Sequence, residues 1–325
     1  MADVPRVLLL TDPGMARHLP PGHPERPERL DAAIGGVLEG ALAAGALLER
    51  PAVQAAEPEV LERVHPAAHL AALEEAGRAG TWIDPDTYVG PGSMDAARLA
   101  AGATVQAALA AYQGRAAVAF AVVRPPGHHA AARRATGFCL LNNIAVAVMA
   151  LRAAGVGRIG IVDWDVHHGD GTQELFDADP QLVYASTHQW PLYPGSGLPG
   201  ERGSDAAEGT MHNLLLPPGA GDEAFVAAWG ERLVPTLEDF APEALLVSAG
   251  YDAHRDDPLA NLLVTDAGFG AVAEMVGGIA RRLGIGGVAL TLEGGYDLAA
   301  IHGSVAATVT GLLRGLRGPD GAGSA

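Results

Sequence analysis

Residues 158–170 read RIGIVDWDVHHGD. An apolar, β-branched run from Ile159 to Val162 passes without a break into three aspartates and two adjacent histidines. A short run that is hydrophobic at every position fits a strand buried on both faces, as in a parallel sheet. The polar cluster then stands where that strand leaves the sheet. Taking unpaired charges out of water costs several kcal/mol or more each, so such a cluster persists where a metal or a catalytic pairing compensates it.

The same pattern recurs at VAFAVVRPPGHH (118–129), ALLVSAGYDAH (244–254) and GVALTLEGGYD (287–297). Between these runs lie alanine-rich, amphipathic segments of helical length: Ser93 to Tyr112, Phe138 to Ala154 before Gly155, and Thr265 to Leu283 before Gly284. Glycine just past a helical run is a C-terminal stop. Alternation of strand and helix predicts a single α/β domain, a mostly parallel sheet with helices on both faces. Ligands of such sheets bind outside the carboxyl ends of the strands, so all four polar loops can meet at one site.

At 325 residues and 49% hydrophobic, the chain can bury a sizeable core. One domain over residues 1–317 is expected, with Gly318 to Ala325 (GPDGAGSA) as an unstructured tail. The lone cysteine, Cys139, excludes a disulfide framework and a zinc-thiolate site. The apolar run Val7 to Leu10 is too short for a membrane span or signal-peptide core, which points to the cytoplasm. A formal charge of −17 argues against nucleic acid and favours a cationic partner. Every basic residue is arginine, which rules out phosphate-loop and Schiff-base lysines.

Asp165 and His167 are two apart at a strand end, so their side chains leave on one face. Asp252, at another strand end, can complete a metal site of nitrogen and oxygen ligands in which water takes an open position. The bland alternative is a structural hydrogen-bonded pair. His128 and His129 follow the rigid Pro125-Pro126-Gly127, and Asp163 and Asp170 remain as their orienting carboxylates. Two His–Asp pairs beside a metal form a general acid/base apparatus for hydrolysis. Tyr296, after two glycines, either packs or donates to a carbonyl oxygen as it gains charge. The long Trp190–Gly203 loop, rich in proline and glycine, is of the kind that lines sites.

The blocks RPPGHHA (124–130), GFCLLNNIAVA (137–147), VDWDVHHGDGTQ (162–173), SAGYDAHRDDPL (248–259) and LEGGYDL (292–298), with HPERPERL (23–30), resemble the zinc-dependent histone deacetylase family. The likeness is to its class II and bacterial amidohydrolase branch, with acetoin-utilization and acetylpolyamine amidohydrolase relatives, and spans roughly residues 18–315. It implies the arginase/deacetylase fold and one catalytic zinc, or iron in its place, on Asp165, His167 and Asp252. It makes His129 with Asp170 the general base and acid, His128 with Asp163 its electrostatic partner, and Tyr296 the catalytic tyrosine. It further implies an acyl-lysine tunnel of Gly137, Phe138 and Tyr193, a rim aspartate at Asp86, and Arg29 in an internal acetate channel. A structural potassium would sit on the carbonyls of Asp163, Asp165 and His167 and the Ser186 hydroxyl.

Two departures bear on the chemistry. This chain has HHGDG where class II relatives usually have HHGNG, so a charged Asp170 should favour the His129 imidazolium. His254 and Asp256 lie close to Asp252 in sequence, as rim residues or as ligands of a second metal. The expected activity is removal of an acyl group from acetyl-lysine in a peptide or protein. Alternatives are an acetylpolyamine amidohydrolase, a binuclear ureohydrolase and an inactive acyl-lysine binding module. Leu259 stands near the point where polyamine-selective relatives place an acidic gatekeeper, and Tyr296 argues against an inactive module.

Overall fold

The structure, a computed structural model, describes residues 4–318; the expected tail from residue 319 on lies outside them. Eight strands form the main sheet: β1 (Arg6–Leu10), β2 (Leu47–Glu49), β5 (Val118–Ala121), β6 (Ile159–Asp163), β7 (Leu182–Gln189), β8 (Met211–Leu216), β9 (Ala244–Ala249) and β10 (Val288–Leu292). They stand in the order β2-β1-β5-β10-β9-β6-β7-β8, and every neighbouring pair is parallel. A separate antiparallel hairpin joins β3 (Thr81–Trp82) to β4 (Tyr88–Val89).

The strands expected from the four apolar runs are β5, β10, β9 and β6, and they are consecutive in the sheet. All of their residues are buried, as an apolar run at every position requires. Because the four run parallel, their polar sequels emerge side by side at one edge.

Helices Glu28–Ala43, Asp266–Leu283 and Leu298–Arg317 pack together as one layer, and Ser93–Tyr112 packs with Asn143–Ala153 as the other. The Ser93–Tyr112 helix meets the sheet through alanines, whose small side chains let it lie close to β5 and β10. Thr265 caps the Asp266–Leu283 helix by accepting from Ala267 N–H, and Gly284 ends it in the left-handed conformation.

One expected helix begins later than its pattern implied. Phe138–Ala154 contains a helix only over Asn143–Ala153, because Gly137 and Phe138 both have positive φ, and the Asn142 side chain caps the first turn through Ala145 N–H. Phe138 is thereby released to line the site. Among the described residues no helix is long and apolar enough to cross a membrane.

Candidate active site

The chain beyond β6 turns its polar groups inward. Asp165 N–H donates to Asp163 Oδ1, and His167 N–H and Nδ1 both lie within 3.1 Å of Asp165 Oδ1. Val166 N–H donates to Asp252 Oδ1 at 2.9 Å, and Gly294 N–H to Asp165 Oδ2 at 2.8 Å, so loops from β6, β9 and β10 are stitched together. A Cβ at Gly250 or Gly294 would overlap these carboxylates, which is why glycine stands at both.

One ligand atom each from Asp165, His167 and Asp252 lie within 4.8 Å of one another. Asp252 Oδ2 is buried and has no hydrogen-bond partner; it is 3.2 Å from His167 Nδ1 but without hydrogen-bond geometry. Burial and the charge of Asp165 raise the pKa of Asp252. Burial opposes a charge on His167, yet its hydrogen bond to Asp165 and the nearby Asp252 carboxylate push its pKa up to about 10. Two buried carboxylates and an imidazole thus demand positive charge between them, and the donor set suits a divalent cation of the zinc or iron kind.

The two neighbouring histidines differ. His128 Nδ1 donates to Asp163 Oδ2 at 3.1 Å, and that oxygen also accepts from the Tyr184 hydroxyl. Burial works against charge on His128, but Asp165 and Asp163 outweigh it and hold its pKa well above the ordinary value. His129 Nδ1 donates to Asp170 Oδ1 at 2.7 Å. Burial, then the nearby His128, push His129 down to about 4. Asp170 does act in the expected direction, but its other oxygen is taken by Arg134 at 3.1 Å, and it does not prevail.

A cavity of about 250 Å³ opens above these groups. His128, His129, Asp165, His167 and Tyr296 line its depth, with Gly137, Phe138, Tyr193, Leu259 and Asp86 also on its wall. Asp163, Asp170 and Asp252 stand behind that wall, beside the lining residues His128, His129 and His167 respectively. Phe138 meets Tyr296 edge-on at 5.8 Å between ring centroids, and Tyr193 meets His129 at 5.1 Å. Leu192 joins Tyr193 on the lining, so the long loop does border the site. His254 is turned toward Asp266, 3.6 Å away, and among the described residues neither it nor Asp256 belongs to the ligand cluster.

The sequence matches the histone deacetylase domain over residues 23–312. The chain belongs to the histone deacetylase family. A probable deacetylase of Archaeoglobus fulgidus is 39% identical over 301 residues, covering 92% of this chain and 83% of that protein. The histone deacetylase-like amidohydrolase of Pseudomonas aeruginosa is 38% identical, covering 86% of this chain and 74% of that protein. Histone deacetylase 15 of Arabidopsis thaliana is 39% identical over 90% of this chain, which spans only 53% of that protein. The crystal structure of the HDA15 HD domain superposes with a TM-score of 0.88 at 37% identity, covering 95% of this chain and 88% of that one. The deacetylase fold is therefore the arginase/deacetylase sheet described above.

Two buried acids, Glu293 and Asp257, escaped the sequence reading. Glu293 accepts from Gly127 N–H at 2.6 Å, His128 N–H at 3.1 Å and the Ser248 hydroxyl at 3.0 Å, tying the histidine loop to β10. Asp257 accepts from Tyr296 N–H at 2.7 Å and Leu259 N–H at 3.0 Å. Burial raises both acids to about 7. The signal was available, since an acid at the end of an apolar run, as in LTLEGG, needs a partner. Arg29 lies behind Tyr296, its guanidinium 5.1 Å from the ring centroid, and donates to Gly295 C=O and Glu25.

Proposed function

We propose that this chain hydrolyses the amide of an N-acylated amine, with acetyl-lysine of a peptide or protein as the leading substrate. The observation that carries the reading is the convergence on one pocket of Tyr296, the Asp165–His167–Asp252 cluster and two histidines, His128 and His129, each with its Nδ1 held by a carboxylate of its own. Asp165, His167 and Asp252 would hold a zinc ion, or iron in its place, which would supply Lewis acidity toward the carbonyl and the attacking water.

The chain's own groups do the rest. With Nδ1–H committed to Asp170, His129 presents Nε2 as an acceptor and takes a proton from water. It returns that proton to the departing amine. His128, anchored by Asp163, is the electrostatic partner of His129 toward the negative charge that develops beside it. The Tyr296 hydroxyl donates to the acyl oxygen as that oxygen becomes anionic. Gly137, Phe138, Tyr193 and Leu259 enclose the alkyl stem and exclude water, while Asp86 at the rim accepts from substrate N–H groups. The main-chain carbonyls of Asp165 and His167 accept no hydrogen bond among the described residues, and Ser186 is the register partner of Asp163. That arrangement suits a potassium ion beneath the site.

The test is a substrate panel of acetyl-lysine peptides, longer acyl-lysines and acetylated polyamines, with and without chelator. Chelator-sensitive release of acetate from peptide is the expected result. Turnover of the polyamines alone would move the assignment to a small-molecule amidohydrolase, and no turnover of any amide would overturn it.

A further inference from the structure

Tyr296 enters the pocket from a loop whose backbone is free to bend. Gly294 and Gly295 precede it, and Gly295 has a φ of +112°, a conformation suited to glycine. Gly294 N–H is pinned to Asp165 Oδ2 at 2.8 Å, and the Gly295 carbonyl accepts from Arg29 Nε at 2.5 Å. Both anchors stand before Tyr296. After it, Asp297 caps the Leu298–Arg317 helix by accepting from Ala300 N–H at 2.8 Å. Between these fixed points the tyrosine's own N–H donates to Asp257 Oδ2 at 2.7 Å.

Asp257 is itself well placed to act as an anchor. Its N–H donates to the His254 carbonyl at 2.9 Å, and its other oxygen, Oδ1, accepts from Leu259 N–H at 3.0 Å. Asp257 is buried and does not line the pocket, whereas Tyr296 and Leu259 both do. One carboxylate thus ties together two stretches of pocket wall from different strands, Leu259 from the loop after β9 and Tyr296 from the loop after β10. A tyrosine hydroxyl stands at the far end of a rigid arm, so a small shift of the backbone is magnified there. Catalytic groups lose about 10² in rate for a misplacement of about 1 Å.

We infer that Asp257 is a positioning residue: by bridging Tyr296 to Leu259 it holds the tyrosine hydroxyl where the acyl oxygen becomes anionic. This rests on the hydrolase reading above. It gives the buried acid a part in the rate without contact with the substrate.

The experiment uses Asp257→Asn, which keeps the size of the side chain but has one acceptor oxygen and an NH2 that would face the second N–H donor. On an acetyl-lysine peptide the variant should lower kcat about tenfold, with KM within about twofold and metal content unchanged. In a Tyr296→Phe background the same substitution should lower kcat by less than about twofold, because the hydroxyl it positions is already gone. An equal fold-loss in both backgrounds would overturn the inference, since a general loosening of the site acts with or without the hydroxyl. Fluorotyrosine labelling of the substrate-free protein gives a readout independent of turnover. Of the six tyrosine resonances, the one missing from Tyr296→Phe belongs to Tyr296. It should be a single line in wild type and shifted or split in Asp257→Asn, with most of the others unmoved. An unmoved Tyr296 resonance refutes the bridge whatever the protein hydrolyses, and displacement of all six refutes a specific positioning role. Should Asp257→Asn not fold, Asp257→Ala provides the same comparison. Absence of all wild-type turnover together with the expected shift refutes the hydrolase reading and leaves the bridge to Tyr296 standing.

Discussion

At the floor of the pocket, Asp165, His167 and Asp252 stand at the ends of adjacent parallel strands, with both carboxylates almost wholly buried. At the mouth, Asp86, Phe138 and Tyr193 stand on loops, and their placement depends on a few local hydrogen bonds of backbone N–H and hydroxyl groups to side chains. The floor is positioned by the sheet and charged by its own desolvation, so it is rigid and intolerant of change. The mouth is positioned by local polar bonds near water, each worth little alone. Changes at the floor should therefore act on the chemistry, and changes at the mouth on the choice of substrate.

The largest test of that contrast is Asp165→Ala. Removing one of three converging donors should abolish both stoichiometric divalent-metal binding and turnover, checked by metal analysis beside activity. Retention of one tightly held ion with full activity would put the reaction elsewhere. Next comes Tyr296→Phe, which should lower kcat by about 10² to 10³ while metal content is kept, the usual loss for one donor to a developing oxyanion. A change confined to KM would make Tyr296 a wall rather than a participant.

Glu293→Gln probes the floor through stability. Burial raises the folded-state pKa of Glu293 from 4.5 to about 7, so the folded protein holds this proton more tightly than the unfolded chain does. Its ionisation therefore subtracts stability as pH rises from the unfolded value to the folded one, and the loss is complete above about 7. Glutamine cannot ionise; its oxygen can accept from Gly127 and His128 while its amide faces Ser248. The variant should gain on wild type between about pH 5 and about pH 8, by on the order of 1–3 kcal/mol in denaturant melts. A difference that does not vary with pH would contradict the assignment. The smallest effect belongs to the mouth: Asp86→Ala should raise KM for a peptide about threefold to tenfold, with kcat little altered. An equal fall in kcat would mean that the entrance and the chemistry are not separable.

The same contrast explains what could be read from the sequence. The fold followed from four apolar runs, because a strand buried on both faces leaves an uninterrupted apolar signature. The floor followed from spacing, since Asp165 and His167 two apart at a strand end must share a face. The mouth residues Asp86, Gly137, Phe138 and Tyr193 came only with the family resemblance, because they are ordinary loop residues whose meeting on one pocket depends on separate turns. Helical periodicity over Phe138–Ala154 concealed the left-handed turn at Gly137 and Phe138. The protonation of His129 was also hidden: the partner Asp170 is visible in the sequence, whereas burial and the competing Arg134 are not.

The strand order has a consequence for how the molecule comes into being. β10, among the last segments of the described chain, lies between β5 and β9 at the centre of the sheet. Until it inserts, β2-β1-β5 and β9-β6-β7-β8 are two half-sheets with facing open edges, each able to pair wrongly with another chain. Its insertion also brings Gly294 to Asp165 and Tyr296 to the pocket, so closure of the sheet and completion of the site are one event. Such late, non-local pairing is slow to form. A chain ending before Val288 should neither fold nor complete the pocket, because Gly294 and Tyr296 arrive only with the central strand.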